Sequence, residues 1–218
     1  PNVDAVIAVG KFSKPQVEEI AAVTDNLVFV DDDQFEAGFD SVITDFQLAT
    51  EKVVDYFWQQ GIEDIGIIHG LEMTTDHQLT VSDRRMLGFK AAMTKRNAFK
   101  PEFVFEGDYT SESGSKMMQK AIDVLGDQLP KAFFVANDPM AAGALKALQT
   151  NGIKVPDRVK LFSFNNTSLA TFVYPELSAV NVDTELMGAT AVNLVMSRLA
   201  GRTTTQRVEL GTRLVERA

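Results

Sequence analysis

Short apolar, β-branched runs alternate along the chain with longer segments whose apolar residues recur at helical spacing. Val3–Val9 (VDAVIAV), Leu27–Val30 (LVFV), Ile65–Ile68 (IGII), Phe103–Phe105 (FVF), Ala132–Val135 (AFFV) and Leu161–Phe164 (LFSF) read as strands. Their apolar runs are continuous, which suits strands covered on both faces. Between them, Ala49, Val53, Tyr56 and Phe57 form one helical stripe, and Met118, Ala121, Ile122 and Leu125 another. The clearest stripe is Ala141, Ala144, Leu145 and Leu148. Asp138 is placed to cap that helix, Pro139 suits its first turn and Gly152 its end, and Pro156 forbids continuation. Such alternation predicts βαβ units and parallel sheets, an α/β fold. Near the C-terminal end, Ala179–Val182, a helix over about Glu185–Leu199, and then Val208–Leu210 and Arg213–Val215 read as a last crossover and two closing strands. One sheet of so many strands is wide for a twisted sheet, so two sheets are expected.

Composition narrows the function classes. The 218 residues could form one large domain or two smaller ones, and 45% hydrophobic content is enough for a core in either case. No run of roughly 18 apolar residues occurs, so no membrane span is expected. The opening Pro1-Asn2-Val3-Asp4 has neither the basic nor the apolar part of a signal peptide. There is no cysteine, so disulfides, thiolate metal sites and thiol nucleophiles are excluded, and a reducing cytoplasm fits. A net charge of −9 repels phosphate backbones, so this portion is not expected to hold DNA by itself.

In open α/β folds ligands bind beyond the carboxyl ends of the parallel strands. Asp31 follows LVFV, Glu106-Gly107-Asp108 and Tyr109 follow FVF, Asn137 and Asp138 follow AFFV, and Asn165 and Asn166 follow LFSF. Arg84 and Arg85 open the helix that contains Met86, Phe89 and Met93. Amides and carboxylates donate and accept, arginine adds a donor fork, and an aromatic face covers apolar C–H surface. A sugar presents that mixture of hydroxyls and C–H faces, whereas a phosphate ligand calls for a glycine-rich turn or several cations. Each residue also has a plain structural reading: Asp31 and Asn165 as turn formers, Asp138 as a cap, Tyr109 as sheet cover, Arg84 as surface.

Catalytic motifs are absent: no phosphate-binding loop, dinucleotide fingerprint, zinc-protease helix or nucleophile elbow occurs. His69 ends an apolar strand and reads as a satisfied core residue; His77 lies in a polar loop. The run Asp31-Asp32-Asp33 lacks the spacing of a calcium loop and reads as solvated carboxylates. No catalytic residue, metal or cofactor is therefore expected.

The segments VDAVIAVG, LVFVDDD, GIEDIGIIHG, SDRRMLGFKAAM, FEGDYTSESG, AFFVANDPMAAGALKALQTNGIKVPDRVKLFSFNN and YPELSAVNVDTELMGATAVNLV, in that order, resemble the effector-binding core of lactose-repressor/galactose-repressor-type transcription regulators. The same core fold serves periplasmic sugar-binding proteins, and an extracellular or periplasmic sugar-binding component of a transporter is the competing reading. The resemblance implies two Rossmann-like parallel-sheet subdomains joined by three crossovers. These are residues 1–45 plus 184–211 (incomplete) and 46–183 plus 212–218. It also implies that the family's N-terminal helix-turn-helix, and the first part of the first subdomain, lie outside this chain. Carried over by position, Arg85 matches the arginine that grips sugar hydroxyls and Asn137 an amide contact. Asn165 falls where many members have aspartate, Asp31 on an acidic contact position, and Tyr109 where an aromatic stacks on the sugar. Asn165-Asn166 is similar to galactose-operon repressors of Gram-positive lactic bacteria. The implied protein is a cytoplasmic homodimeric repressor that takes a sugar effector between its subdomains. It would read operator DNA only through the missing helix-turn-helix.

Overall fold

The computed structural model describes residues 3–217; Pro1, Asn2 and Ala218, which the expected subdomains include, lie outside them. In chain order the elements are β1 (Val6–Val9), α1 (Lys14–Ala21), β2 (Leu27–Val30), β3 (Asp40–Thr44), α2 (Phe46–Gln59), β4 (Ile65–Gly70), β5 (Glu72–Met73), β6 (Thr80–Val81) and α3 (Arg84–Lys95). There follow β7 (Val104–Gly107), α4 (Ser111–Leu125), β8 (Ala132–Val135), α5 (Asp138–Thr150), β9 (Lys160–Asn165), α6 (Leu169–Phe172), β10 (Ser178–Asn181), α7 (Thr184–Leu199), β11 (Arg207–Leu210) and β12 (Arg213–Val215). The fold is α/β with two main sheets, parallel except for one edge strand, and the residues divide into two compact units.

The first unit comprises residues 1–45, 73–81 and 183–211. Its sheet runs β1-β2-β3-β11, parallel throughout. On one face Ala8, Val17, Leu27 and Phe29 pack together with Phe12, Ile20 and Phe39; α7 packs against β1, β2 and β3. The first strand is shorter and less covered than its apolar run suggests: Ile7 is 39% and Val9 65% exposed, because β1 lies at the sheet edge. β3 escapes the apolar-run reading altogether, since three of its five buried residues, Asp40, Ser41 and Thr44, are polar. Asp40 is fully buried and accepts from Arg198 Nε at 3.0 Å and Nη2 at 2.9 Å, from Arg202 Nη1 at 3.2 Å and from the Gln206 backbone at 2.7 Å. A carboxylate can be buried only when it is paired in this way.

Met73–Val81 falls inside the expected second subdomain but is grouped with the first. Asp76 accepts from Ser13 Oγ at 2.6 Å and Thr74 Oγ1 at 2.5 Å, and the Thr75 amide donates to Lys11 O at 2.8 Å. The chain thus passes between units after residues 72 and 81 as well as after 45, 182 and 211. Those two extra passages were invisible because they depend on side chains 63 residues apart pairing.

The second unit comprises residues 46–72, 82–182 and 212–218. Its sheet order is β12-β10-β9-β8-β4-β7, with only β12 antiparallel. Alternate residues of the central strands face opposite ways. Ile68, Phe133, Val135 and Leu161 enter one core with Met118, Met140, Leu145 and Leu148. Ile65, Ile67, Phe134, Phe162 and Phe164 enter the other with Val53, Phe57, Phe89 and Met93. Each fully buried side chain of this size contributes roughly 1.5–3 kcal/mol, so the double-sided sheet is a rigid floor for the loops at its carboxyl edge. Gly143 lets α5 meet α4 closely: a Cβ there would lie 1.9 Å from Ser111 O. The cap of α5 is Asn137, not Asp138, because Asn137 Oδ1 accepts from the Met140 amide at 2.8 Å. Asp138 takes the first helical position instead, fully buried.

Candidate functional site

Parallel pairing puts the carboxyl ends of β7, β4, β8 and β9 side by side, and the residues just past them form one connected cluster in the second unit. Its centre is Arg85, in the first turn of α3 and only 8% exposed. Arg85 Nε donates to Asp83 Oδ1 at 2.7 Å, Nη1 to Ala136 O at 3.0 Å and Nη2 to Tyr109 Oη at 2.8 Å. The guanidinium carbon lies 5.3, 5.0 and 5.6 Å from the ring centres of Phe46, Tyr109 and Phe164, within cation–π range. Burial by itself would lower the guanidinium pKa; the charges and hydrogen bonding of Asp83, with Tyr109 and Glu72, outweigh it and raise it. Arg85 is a permanent cation.

Asp83 caps α3 by accepting from the Arg85 amide at 2.9 Å, and its other oxygen accepts from Tyr109 Oη at 2.9 Å. Burial pushes the Tyr109 phenol up, and Asp83 adds to this while Arg85 opposes it, so the phenol stays protonated. Tyr109 itself has φ +66°, a left-handed conformation that an aromatic residue rarely adopts. Several contacts hold it there. Asp108 accepts from Thr110 N at 3.1 Å, Asn137 Nδ2 donates to Tyr109 O at 2.9 Å, and the ring lies on Gly70. Any Cβ at residue 70 would come within 2.6 Å of that ring.

Asn165 and Asn166 are left-handed too, at φ +96° and +59°. The Asn166 amide is spent on structure, donating to Asn181 Oδ1 and accepting from Arg217 Nη2, both at 2.8 Å. The Asn165 side-chain amide makes no hydrogen bond to the described residues. Below them Asp138 accepts from Ser163 Oγ, from Thr167 N at 2.6 Å and from Thr167 Oγ1 at 2.8 Å, which pins the turn to α5.

Of the five expected site residues, the structure joins Arg85, Tyr109 and Asn137 directly, and Asn165 follows Phe164, one of the rings around Arg85. Asp31 belongs to the first unit, where it is left-handed at φ +64° and pairs with Lys11 Nζ at 3.2 Å; its part in a site rests on the resemblance alone. The expected solvated run is in fact engaged: Asp32 accepts from the Phe12 amide at 3.0 Å and Asp33 pairs with Arg207 at 2.9 Å. His69 is buried with Nδ1 at 3.2 Å from Gly70 O, and His77 is exposed. Among the described residues no group of three or more His, Cys, Asp or Glu is placed to hold a metal ion, and no helix is long and apolar enough to cross a membrane. Asp83, Phe46 and Phe164 were missed. Asp83 carried a readable signal, a capping residue just before a helix; the two rings carried none, being indistinguishable from core.

Residues 54–218 match the model of the periplasmic binding protein-like domain. The chain is 40% identical over 217 residues to the HTH-type transcriptional regulator GalR of Streptococcus thermophilus, covering 99% of this chain and 65% of that protein. It is 37% identical over 224 residues to the HTH-type transcriptional repressor MelR of Bacillus subtilis (strain 168), covering 99% and 63%. The chain thus spans less than two thirds of the length of these relatives. Among solved structures, a transcriptional regulator CelR–cellobiose complex superposes with TM-score 0.83 at 25% identity, covering 99% of this chain and 65% of that one. Transcription regulator CcpA of Lactococcus lactis superposes at 0.82 and 24%, covering 99% and 77%. The curated relatives are named as regulators and repressors of transcription, which are not enzymes. On this basis the chain belongs to the periplasmic-binding-protein-like domain family, in the branch that forms the effector-binding core of lactose-repressor/galactose-repressor-type transcriptional regulators.

Proposed function

We propose that this chain is the sugar-sensing part of a cytoplasmic transcriptional repressor, with galactose or a related sugar as effector. The observation that carries the reading is the buried guanidinium of Arg85 at the carboxyl edge of four neighbouring parallel strands. Guanidinium has five N–H donors. Three are used by Asp83, Ala136 and Tyr109, which leaves one on each terminal nitrogen for ligand hydroxyls. Asn165 adds an amide that can both donate and accept, and Asn137 retains unused capacity on both ends of its amide. The similar CelR regulator, solved in complex with cellobiose, supports a sugar as the effector class.

In this reading the core works as a homodimer, and operator DNA is read by a helix-turn-helix outside this chain. Sugar shifts a conformational equilibrium by binding one state better than another, so it can act only to the extent of that difference in affinity. Isothermal calorimetry with D-galactose tests the binding step. Wild type is expected to give a saturable heat, and Arg85→Ala to give none while its far-ultraviolet circular dichroism stays native. Undiminished affinity in Arg85→Ala rules the assignment out.

A further inference from the structure

We propose that Asp83 is the positioning residue of this site: together with Tyr109 it fixes the Arg85 guanidinium and cancels its charge, so that the site accepts an uncharged hydroxylated ligand and rejects the phosphorylated counterpart. The inference rests on the sugar-binding reading and adds the ligand's charge class to it.

The three groups form a closed ring of hydrogen bonds. Asp83 Oδ1 accepts from Arg85 Nε at 2.7 Å, Arg85 Nη2 donates to Tyr109 Oη at 2.8 Å, and Tyr109 Oη donates to Asp83 Oδ2 at 2.9 Å. Asp83 is 6% exposed and Arg85 8%, so bulk water does little to screen the pair. Asp83 also accepts from the Arg85 backbone amide at 2.9 Å, which locks the carboxylate to the first turn of the helix that carries the arginine. A long side chain with many rotamers is thereby held in one, and each hydrogen bond it makes to a ligand costs less ordering entropy.

The charge consequence follows from the same contacts. Arg85 alone would be an anion trap. Paired at 2.7 Å with a carboxylate, it presents donors with no net charge. A phosphate dianion would bring like charge to Asp83 at the moment of desolvation. A neutral hydroxyl meets directed donors and acceptors only.

The test titrates D-galactose and D-galactose 6-phosphate into wild type and Asp83→Asn by calorimetry. Wild type is expected to prefer the neutral sugar at least tenfold. Asp83→Asn should weaken neutral-sugar binding at least tenfold and narrow the preference by a similar factor, a ratio that a general folding defect does not move. Asp83→Glu should restore part of the preference. Tyr109→Phe, which removes a hydrogen bond and no charge, should weaken the neutral sugar yet keep the preference. A wild-type preference ratio in Asp83→Asn overturns the proposal, as does a wild type that favours the phosphorylated sugar. If wild type binds neither sugar, the sugar-binding reading and the charge selectivity built on it fail, and the positioning role is decided separately by nitrogen-15 NMR of arginine side chains without ligand. There the Arg85 Nε–H should exchange slowly in wild type and rapidly in Asp83→Asn; equally fast exchange in both ends that role as well.

Discussion

Tyr109 shows how one residue can be held against its own backbone preference. A left-handed conformation costs a non-glycine residue on the order of 1–3 kcal/mol, and here it is maintained by Asn137 on its carbonyl, Arg85 and Asp83 on its hydroxyl, and Gly70 under its ring. Three of the five residues expected at the site, Asp31, Tyr109 and Asn165, are left-handed, and all three stand at strand carboxyl ends. Gly70→Ala tests whether this geometry matters to binding. The new Cβ would meet the ring at 2.6 Å, so the ring must move, and its hydroxyl must leave Arg85 and Asp83. Overpacking of this kind costs roughly 1–3 kcal/mol of stability. We expect sugar affinity in calorimetry to fall at least tenfold, about 1.4 kcal/mol; unchanged affinity would mean that Tyr109 does not position Arg85. The polar residues at strand ends were legible because they interrupt apolar runs. That the Tyr109 hydroxyl meets Arg85 was not, since the two are 24 residues apart and joined only by the sheet.

At the scale of elements, β3 and the α4–α5 pair carry the lesson. D-S-V-I-T does not look like a buried strand, and its aspartate becomes tolerable only when Arg198 and Arg202, from the far end of the chain, close around it. Burial would raise the Asp40 pKa, but the hydrogen bonds of the two arginines and of the Gln206 amide outweigh it and lower the pKa from 3.8 to about 2. A depressed folded-state pKa means stability that is fully present above the unfolded pKa and lost as pH falls through the folded one, so the window is roughly pH 4 down to 2. The full contribution is on the order of 2 kcal/mol, and about 1 kcal/mol of it goes between pH 5 and pH 3. Hydrogen-exchange protection factors of β3 and α7 amides should therefore drop about fivefold over that interval. Constant protection would show that the pair does not hold these elements. Helix α5, by contrast, was readable almost to the residue, and the glycine of its ANDPMAAG segment turns out to be where α4 crosses.

For the whole molecule, composition and topology act at different distances. A net charge of −9 is a long-range property that no local pairing removes. Non-specific DNA binders saturate at roughly 1–100 µM. In fluorescence anisotropy with a labelled duplex at low salt, this chain should give no signal change over that range. A salt-sensitive rise would overturn the view that operator contact lies elsewhere in the protein. The two units are each built from discontinuous stretches, and the second unit's two-sided core places four strand ends in a row to carry the site.

By itself the sequence determined the α/β class, the two sheets, most strand and helix positions, and the polar positions at strand ends, because hydrophobic period, caps and breakers act within a few residues. Tertiary structure alone decided that Asp40 can be buried, that Met73–Val81 joins the first unit, and that Asp83 and three aromatic rings surround Arg85. Each of these depends on groups from distant stretches sharing one desolvated place. There the strength of a charge or a hydrogen bond is set by what excludes water from it, not by its neighbours along the chain.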